Sequence, residues 1–259
     1  MKQHHPDVEI AAGNPWYLAD QFRSQLGTRG RRRVIEDRWR LFGRMLRDWR
    51  VRHRHTGVLT VLDAGCGDGI NLLGLRGLMT VERLPMRLFA IDYNPLRLAR
   101  ARGVEPRAWL QQASLYRLPF ADATFDTVLC NHVLEHVPDM TAALSELFRV
   151  LRPGGLLIVG VPNEGCLMAR ARNRFVQPWI GRTTDHVHFF TAQTLTDALR
   201  RAGLHVQQLE RETFFFPCSY LNMCCSEFGV GHWLMACLRA LLPSQSGGLI
   251  AASEKPVHG

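Results

Sequence analysis

Apolar runs alternate with amphipathic stretches from residue 58 almost to the end of the chain. Short apolar runs between turn residues are typical of buried strands, and apolar positions three and four apart are typical of helices. The pattern predicts strands over residues 58–64, 86–94, 107–114, 125–132, 156–162, 204–214 and 248–256. It predicts helices over residues 69–79, 95–103, 139–151 and 191–203, and a turn over 152–155. This alternation favours an α/β fold with a doubly wound, mostly parallel, seven-stranded sheet.

A longer helix is predicted ahead of the first strand, over residues 31–52. Its apolar positions are spaced by three and four, which places them on one face. They are Ile35, Trp39, Phe42, Leu46 and Trp49. We therefore divide the chain into an Arg-rich N-terminal helical cap, residues 1–56, and a main domain, residues 57–259.

The charge of the chain is concentrated in this helix. The net charge is +9, and residues 29–54 hold eleven arginines against three acidic residues. One interpretation is a docked helix with a solvated arginine face. The other is attraction to an anionic partner: a phospholipid surface, a phosphorylated glycan or lipid carrier, or RNA. RNA is the least favoured, because no RNA-binding module is recognisable.

A second unusual stretch, residues 214–243, is strongly apolar and precedes the last predicted strand. Glu227, His232 and Arg239 interrupt it and argue against a membrane span. It predicts a helical insertion that forms an acceptor pocket, a dimer face or a membrane-resting helix, or that packs on the core. The start of the chain has no signal pattern, so we expect a cytoplasmic protein, with peripheral contact to a membrane left open.

The stretch "VLDAGCGDG" indicates a ligand-binding turn between the first strand and the following helix. Three glycines at 65, 67 and 69 follow the acid Asp63. A dinucleotide fingerprint would need a glycine at position 70, where this chain has Ile70. Asp63, two residues before the first glycine, would repel a pyrophosphate. An NAD(P)-dependent oxidoreductase is therefore the weaker hypothesis, and S-adenosylmethionine (SAM), with its sulfonium and ammonium, fits better. Asp92, at the end of the second strand, is suited to accept hydrogen bonds from ribose hydroxyls.

Several motifs in order resemble class I SAM-dependent methyltransferases: "VLDAGCGDG", "AIDYNP", "LPFADATFDTVLCNHVLEHV" and "LFRVLRPGGLLIVGVPN". The resemblance covers roughly residues 57–205. It is strongest to the branch with "LPF…FD" and "LEHV", whose members act on quinones, lipids, glycans and natural products. It implies a Rossmann-like methyltransferase fold, SAM as the cofactor, and a small-molecule, lipid or glycan acceptor.

The same resemblance implies the cofactor residues. The turn from Asp63 through Gly65, Gly67 and Gly69 would hold the methionine part, and Asp92 the ribose. The adenine would lie near Tyr93, Ser114 and Leu115, the transferred methyl near Asn131, and a lid would include Trp16 and Tyr17. Ser114 stands where this branch usually has an aspartate, which predicts a weaker contact to the adenine amino group.

Two histidine motifs are candidates for the chemistry. In "NHVLEH", a helix would place His132, Glu135 and His136 on one face, as a general base, a divalent metal site or a structural cluster. Related quinone-pathway O-methyltransferases have an acid where His132 stands, and no CxxC pair suggests zinc, so no metal is assigned. In "DHVHFF", His186 and His188 would lie over the mouth of the site. They belong to an acceptor-side insertion at 163–190, and a second such insertion is predicted at 214–246.

The residues and this resemblance together predict a SAM-dependent methyltransferase, acting at oxygen, with His186, His188 and His136 as catalytic candidates. The alternative from a different class is a protein with the SAM-binding fold that acts without catalysis, in binding or assembly.

Overall fold

The computed structural model describes residues 20–176, 186–216 and 225–257, and within them a single mixed sheet. The strands are Leu59–Ala64 (β1), Met86–Asp92 (β2), Trp109–Gln112 (β3), Phe125–Asn131 (β4), Leu151–Pro162 (β5), His205–Phe214 (β6) and Ser246–Glu254 (β7). Their order is β3-β2-β1-β4-β5-β7-β6. Strands β1 to β5 are parallel, and β7 runs antiparallel to β5 and β6. The predicted α/β, mostly parallel, seven-stranded fold is confirmed.

Helices cover both faces of the sheet. They are Gln21–Leu26 (α1), Arg29–Arg52 (α2), Ile70–Val81 (α3), Pro95–Val104 (α4), Met140–Val150 (α5), Leu167–Ala171 (α6), Ala192–Arg201 (α7) and Gly229–Leu241 (α8). Side chains of α2, α3 and α4 pack in one apolar core with β1 and β2, and side chains of α5 and α7 pack in the other. The strand order reverses between β1 and β4, and ligands bind in such sheets outside the carboxyl ends of the strands at that point.

The predicted apolar face of the N-terminal helix is confirmed. Ile35, Phe42, Leu46 and Trp49 are buried on α2, and Trp39 is partly buried. Thr28 caps the helix, since its side chain accepts a hydrogen bond from the backbone N–H of Arg31. At the other end the Trp49 indole donates to the backbone oxygen of Gly154 at 2.8 Å. Helix α2 therefore shares a core with the sheet.

Three details differ from the sequence pattern. The predicted turn at 152–155 is part of β5, because Gly154 takes a left-handed φ of +75° while its N–H still bonds to Lys255 at 2.8 Å. Strand β3 is only four residues long. Helices α1 and α6 lack the length for a periodic signal and were not predicted. The predicted helical insertion before β7 is present as α8, and no helix in the described ranges is long and apolar enough to cross a bilayer.

Candidate active site

The glycine turn after β1 has a backbone that only glycine adopts readily. Gly65, Gly67 and Gly69 have φ values of +88°, +54° and +91°. The N–H groups of Gly65 and Cys66 both donate to the backbone oxygen of Ile91 at 2.9 Å, which ties the turn to the end of β2. A Cβ on Gly65 would lie 2.5 Å from Cγ2 of Val133. The turn is therefore held tightly between β1, β2 and the loop after β4.

Asp63 is a fully buried carboxylate at the end of β1. Its carboxylate lies beside the Asn71 side chain and forms no ion pair with any residue that the structure describes. Burial raises the pKa of Asp63 to about 7; the nearby Asn71 side chain lowers it in part, and the charge of Asp92 adds to the increase. A buried carboxylate in this state is stabilised by a cationic ligand, and the SAM ammonium is of that kind.

Asp92 organises the turn from the end of β2. Its carboxylate accepts hydrogen bonds from the backbone N–H groups of Gly67 at 2.8 Å and Asn94 at 2.9 Å. Burial raises the pKa of Asp92, and these two hydrogen bonds lower it in part. A carboxylate has about four acceptor positions, so two remain for ribose hydroxyls. The predicted pair of acids thus lies at adjacent strand ends.

Gly69 and helix α1 complete the turn. Gly69 is the N-cap of α3, and a Cβ there would lie 3.0 Å from Cα of Ala101, so its absence lets α3 and α4 pack closely. The backbone N–H of Gln21, the first residue of α1, donates to the Asp68 carboxylate at 2.8 Å. Helix α1 therefore lies against the glycine turn, whereas the predicted lid residues Trp16 and Tyr17 lie outside the described residues.

The predicted adenine residues follow β2 and β3. Tyr93 is half-buried, and its backbone oxygen accepts from the Gln112 amide at 2.8 Å. The Ser114 hydroxyl accepts a hydrogen bond from the backbone N–H of Tyr116 at 3.3 Å. The Leu115 side chain is buried in the core, so only its backbone is suited to contact a ligand.

Asn131 ends β4 with a buried amide oxygen. This oxygen has no hydrogen-bond partner in the described part of the chain. It lies against Gly160 of β5, where a Cβ would collide with it. A small residue at position 160 therefore makes room for the Asn131 side chain at the carboxyl edge of the sheet, where the transferred methyl is expected.

The candidates His132, Glu135 and His136 of "NHVLEH" come together without the α-helix that would have placed them on one face. Only residues Leu134–His136 form a short 3-10 helix, and His132 precedes it with a left-handed φ of +55°. His132 Nδ1 lies 3.1 Å from Oε1 of Glu135, and His136 Nε2 lies 3.9 Å from the same oxygen. The contact therefore comes from the sharp bend at His132, a conformation that apolar spacing does not reveal.

Glu135 is the buried centre of this group. It is 1% exposed. Burial raises its pKa, but the hydrogen bond with His132 and the charges of His132 and His136 outweigh that effect, so the pKa of Glu135 is held below its ordinary value. Its backbone oxygen accepts from the N–H groups of Val187 at 2.8 Å and His188 at 3.2 Å. Glu135 thus anchors the "DHVHFF" segment next to the loop after β4.

His186 lies beside the carboxylate of Glu164 and the imidazole of His136. Its ring lies 5.0 Å, centroid to centroid, from that of His136. Its Nδ1 lies 3.7 Å from Oε1 of Glu164. Burial raises the pKa of Glu164, but His186, Asn173 and the Arg172 guanidinium, which donates at 2.7 Å, hold it below its ordinary value. His188 has a different environment: its Nε2 bonds to the backbone oxygen of Val137 at 2.9 Å, which gives it a role in ordering the segment.

A metal could be held at the same cluster. One donor atom from each of Glu135, His136 and His186 lies within 4.8 Å of the others. In a zinc site each donor atom lies about 2.0–2.2 Å from the ion. Donor atoms that share an ion are therefore closer to one another than 4.8 Å. The arrangement allows a proton-accepting cluster as it stands, and a metal site after a small contraction.

Sequence reasoning missed Glu164. It lies two residues after β5 ends at Pro162, and its carboxylate is buried. The available signal was its position, since acids that follow parallel strands lie at the ligand-binding edge.

A family described as "Methyltransferase domain" matches residues 20–209. A Mycolicibacterium smegmatis protein named "Probable S-adenosylmethionine-dependent methyltransferase" is 34% identical over 61% of this chain and 56% of its own length. A ubiquinone biosynthesis O-methyltransferase of Xylella fastidiosa is 31% identical over 58% of this chain and 62% of its own length. This chain thus spans about half to two thirds of the relatives it matches.

Solved structures agree on the fold. A SAM-dependent methyltransferase structure from Methanosarcina mazei has a TM-score of 0.57 at 18% identity, covering 80% of this chain and 98% of its own. The [4+2]-cyclase SpnF has a TM-score of 0.56 at 21% identity, covering 83% of this chain and 81% of its own. At these identities the likeness shows the fold alone, and a cyclase among the neighbours shows that this fold supports more than one chemistry.

Proposed function

This chain belongs to the methyltransferase-domain family, a class I fold whose cofactor is SAM, and from that premise we propose that it methylates an acceptor hydroxyl. The observation that carries the proposal is the buried carboxylate of Asp63 beside the glycine turn, which has no cationic partner among the described residues. Charged ligands are recognised by buried groups of opposite charge, and a pyrophosphate would be repelled here. The site therefore favours SAM over a dinucleotide.

The protein residues divide into binding and chemical roles. Asp63 would pair with the cofactor ammonium, Asp92 would accept from the ribose, and the positive-φ glycines would let the backbone approach. SAM, when bound, supplies an electrophilic methyl group on a sulfonium. Aligning an acceptor with such a group and excluding water can supply roughly 7–11 kcal/mol of the barrier.

Oxygen as the acceptor atom is supported by the cluster around His186. A hydroxyl loses its proton as the new C–O bond forms and the S–C bond breaks. We assign the uptake of this proton to the paired imidazoles of His186 and His136. Because the pKa values of Glu135 and Glu164 are held low, both carboxylates stay ionised at neutral pH and stabilise the imidazolium that results.

The acceptor class is proposed as small, lipid-linked or glycan-linked. Relatives named for ubiquinone and menaquinone biosynthesis support an apolar acceptor. We further propose that the protein works in the cytoplasm, in peripheral contact with a membrane. The rival is a non-catalytic protein with the same fold, which would bind SAM and turn over no acceptor.

Calorimetric titration with SAM, its demethylated product and NAD tests the cofactor. We expect SAM and the product to bind, NAD not to bind, and Asp92→Ala to weaken both SAM and product by at least about tenfold, because buried charge-assisted hydrogen bonds contribute about 1.5–3 kcal/mol. Asp197→Ala, an exposed acid on α7, is the matched control. Binding of NAD, or unchanged SAM affinity in Asp92→Ala, would overturn the cofactor proposal.

Acceptor turnover is tested separately. Transfer of a labelled methyl from SAM to quinol, lipid and glycan intermediates should give an O-methyl product with a subset of them. Binding of SAM without turnover of any of these would favour the non-catalytic rival.

A further inference from the structure

The outward face of α8 is apolar and exposed over its whole length. Val230, Trp233, Leu234 and Leu241 expose 78%, 63%, 47% and 76% of their surface. At 100° per residue these positions share one side of the helix, opposite the buried Met235. Phe228, immediately before the helix, is 71% exposed. We call these five residues (Phe228, Val230, Trp233, Leu234 and Leu241) the apolar face of α8. Contiguous exposed apolar residues of this kind mark an interaction surface.

The charged residues of α8 point away from this face. His232 Nε2 lies 2.9 Å from the Asp37 carboxylate on α2, and the Arg239 guanidinium donates to the backbone oxygen of Arg211 on β6 at 3.0 Å. Both side chains are therefore used to hold the helix on the protein. The helix is docked by its polar side and presents its apolar side, the reverse of a helix adapted to water.

Helix α2 places arginines directly beside α8. The Arg33 guanidinium donates to the backbone oxygens of Ser226 at 3.2 Å and Glu227 at 2.9 Å, just before α8 begins. Residues 29, 33, 40 and 44 fall on one side of α2, and all four are arginines. Arg40 is paired with Glu36 and Asp37, whereas Arg29 and Arg44 are exposed and form no ion pair with any residue in the described ranges. We call the four the arginine stripe of α2.

The two features together point to one occupant. We propose that the apolar face of α8 and the arginine stripe of α2 form a docking surface for an anionic lipid bilayer. An apolar helix side that inserts at the boundary between headgroups and acyl chains, flanked by cations that attract anionic headgroups, is the arrangement of interfacial membrane helices. A second copy of the chain would bring two arginine stripes and a net charge of +9 on each partner together, which opposes self-association.

The position of this surface fits a lipid-linked acceptor. The short turn Pro243–Gln245 follows α8, and the Gln245 side chain accepts from the backbone N–H of Leu167 at 2.8 Å, at the start of α6. Leu167 and Phe175, in and just after α6, are 64% and 68% exposed. The same segment begins at Glu164, next to His186. The apolar surface therefore extends towards the acceptor side of the site. This deepens the proposed peripheral membrane contact and does not depend on methyl transfer.

Vesicle sedimentation of the full chain tests the surface without the reaction. The protein should sediment with vesicles that contain phosphatidylglycerol and not with phosphatidylcholine alone, and binding should fall as salt is raised. Arg29→Ala with Arg44→Ala should weaken binding by about tenfold or more, at roughly 1 kcal/mol per arginine. Arg102→Ala with Arg201→Ala, exposed arginines on α4 and at the end of α7, is the matched control and should bind like the native protein.

The double variant Trp233→Ser with Leu234→Ser tests the apolar face and should abolish sedimentation with vesicles that contain phosphatidylglycerol. Val58→Ser with Val81→Ser, which are 56% and 83% exposed elsewhere, should leave it intact. Anionic vesicles should shift the indole fluorescence of the protein to shorter wavelength. Trp233→Ser should remove this shift, which assigns it to Trp233. The proposal would be overturned by no binding to either vesicle, by equal binding to both, or by a dimer in solution that Trp233→Ser dissociates. Such a dimer would show that a second copy of the chain covers this face.

Discussion

The imidazole of His186 lies edge-on against that of His136, with ring centroids 5.0 Å apart and ring planes at 68°. The two residues come from different parts of the sheet edge: His136 from the loop after β4, and His186 from the segment that precedes α7. Backbone hydrogen bonds from Val187 and His188 to Glu135 hold the segments together, so the histidine side chains are not needed for that contact. Replacing either imidazole should therefore affect chemistry more than folding.

His186→Ala should lower kcat by about 10²–10⁴-fold, which is the usual contribution of a general base. The affinity for SAM should change little, because the ring is not part of the glycine turn. A merely structural role would not separate these two effects. The measurement is kcat and KM with the identified acceptor, together with a calorimetric titration of SAM. Because a base must be unprotonated to act, the acid limb of the native pH–rate profile should be lost in the variant.

His205→Ala is the matched control for this substitution. His205 is exposed at the start of β6 and has no place in the cluster. It should retain native kcat. If His186→Ala also retained native kcat and pH profile, the proton acceptor would have to be another group.

Treatment with a divalent-metal chelator should leave methyl transfer unchanged. Glu135 already bonds to His132 at 3.1 Å, and Glu164 is already paired with Arg172 at 2.7 Å, so neither carboxylate needs an ion to stabilise it. Activity would be compared before and after EDTA and after readdition of Mg²⁺ or Zn²⁺. Loss on chelation and recovery with one metal would show that Glu135, His136 and His186 contract around an ion instead.

The sheet and the glycine turn were predictable because their signals are local. The buried strands are apolar runs, and Asp63 and the glycines that follow lie within a few residues of one another. The adjacency of Asp63 and Asp92 followed from the rule that the carboxyl ends of parallel strands meet at one edge. Both predictions depend on periodicity and topology, which a sequence carries directly.

The histidine cluster was only partly predictable because it depends on backbone bends and long-range contacts. The spacing of "NHVLEH" suggested a helix, but the left-handed conformation of His132 breaks it. The partnership of His186 with Glu164 joins segments on two sides of residues 177–185, which no local pattern connects. Similarly, the sequence showed that residues 214–243 are apolar, but only the contacts of His232 and Arg239 reveal which side of α8 faces outward.

Gly65→Ala should destabilise the protein by about 1–3 kcal/mol. The new Cβ would lie 2.5 Å from Val133 Cγ2, and φ at this position is +88°, so steric overlap and backbone strain add together. Gly77→Ala is the matched control, since it lies within α3 with no atom within 4 Å of the new Cβ. It should stabilise by about 0.5–1 kcal/mol, because alanine favours helices over glycine. Urea unfolding of both variants gives the two free energies, and a neutral Gly65→Ala would mean that the turn can relax.

Asp63→Asn should make the ligand-free protein more stable while it weakens SAM binding. The pKa of Asp63 is raised from 3.8 to about 7, so the unfolded chain loses this proton at a lower pH than the folded protein. Stability therefore falls as pH rises from about 4 to 7, by about 4 kcal/mol at most. Asparagine carries no charge and should remove this loss. The variant's advantage in the free energy of unfolding should be small at pH 4 and largest at pH 8, measured by urea unfolding without ligand.

The same variant should lose the stabilisation that SAM gives the native protein, since the cofactor ammonium would lack its buried partner. Stabilisation by a ligand grows with the logarithm of its concentration over Kd, so the shift of Tm with added SAM reports the affinity directly. Asp197→Asn, which replaces an exposed acid, should match the native protein in both measurements. If Asp63→Asn were destabilising at every pH and still bound SAM normally, Asp63 would be a structural residue. Its buried carboxylate would then no longer support a cationic ligand.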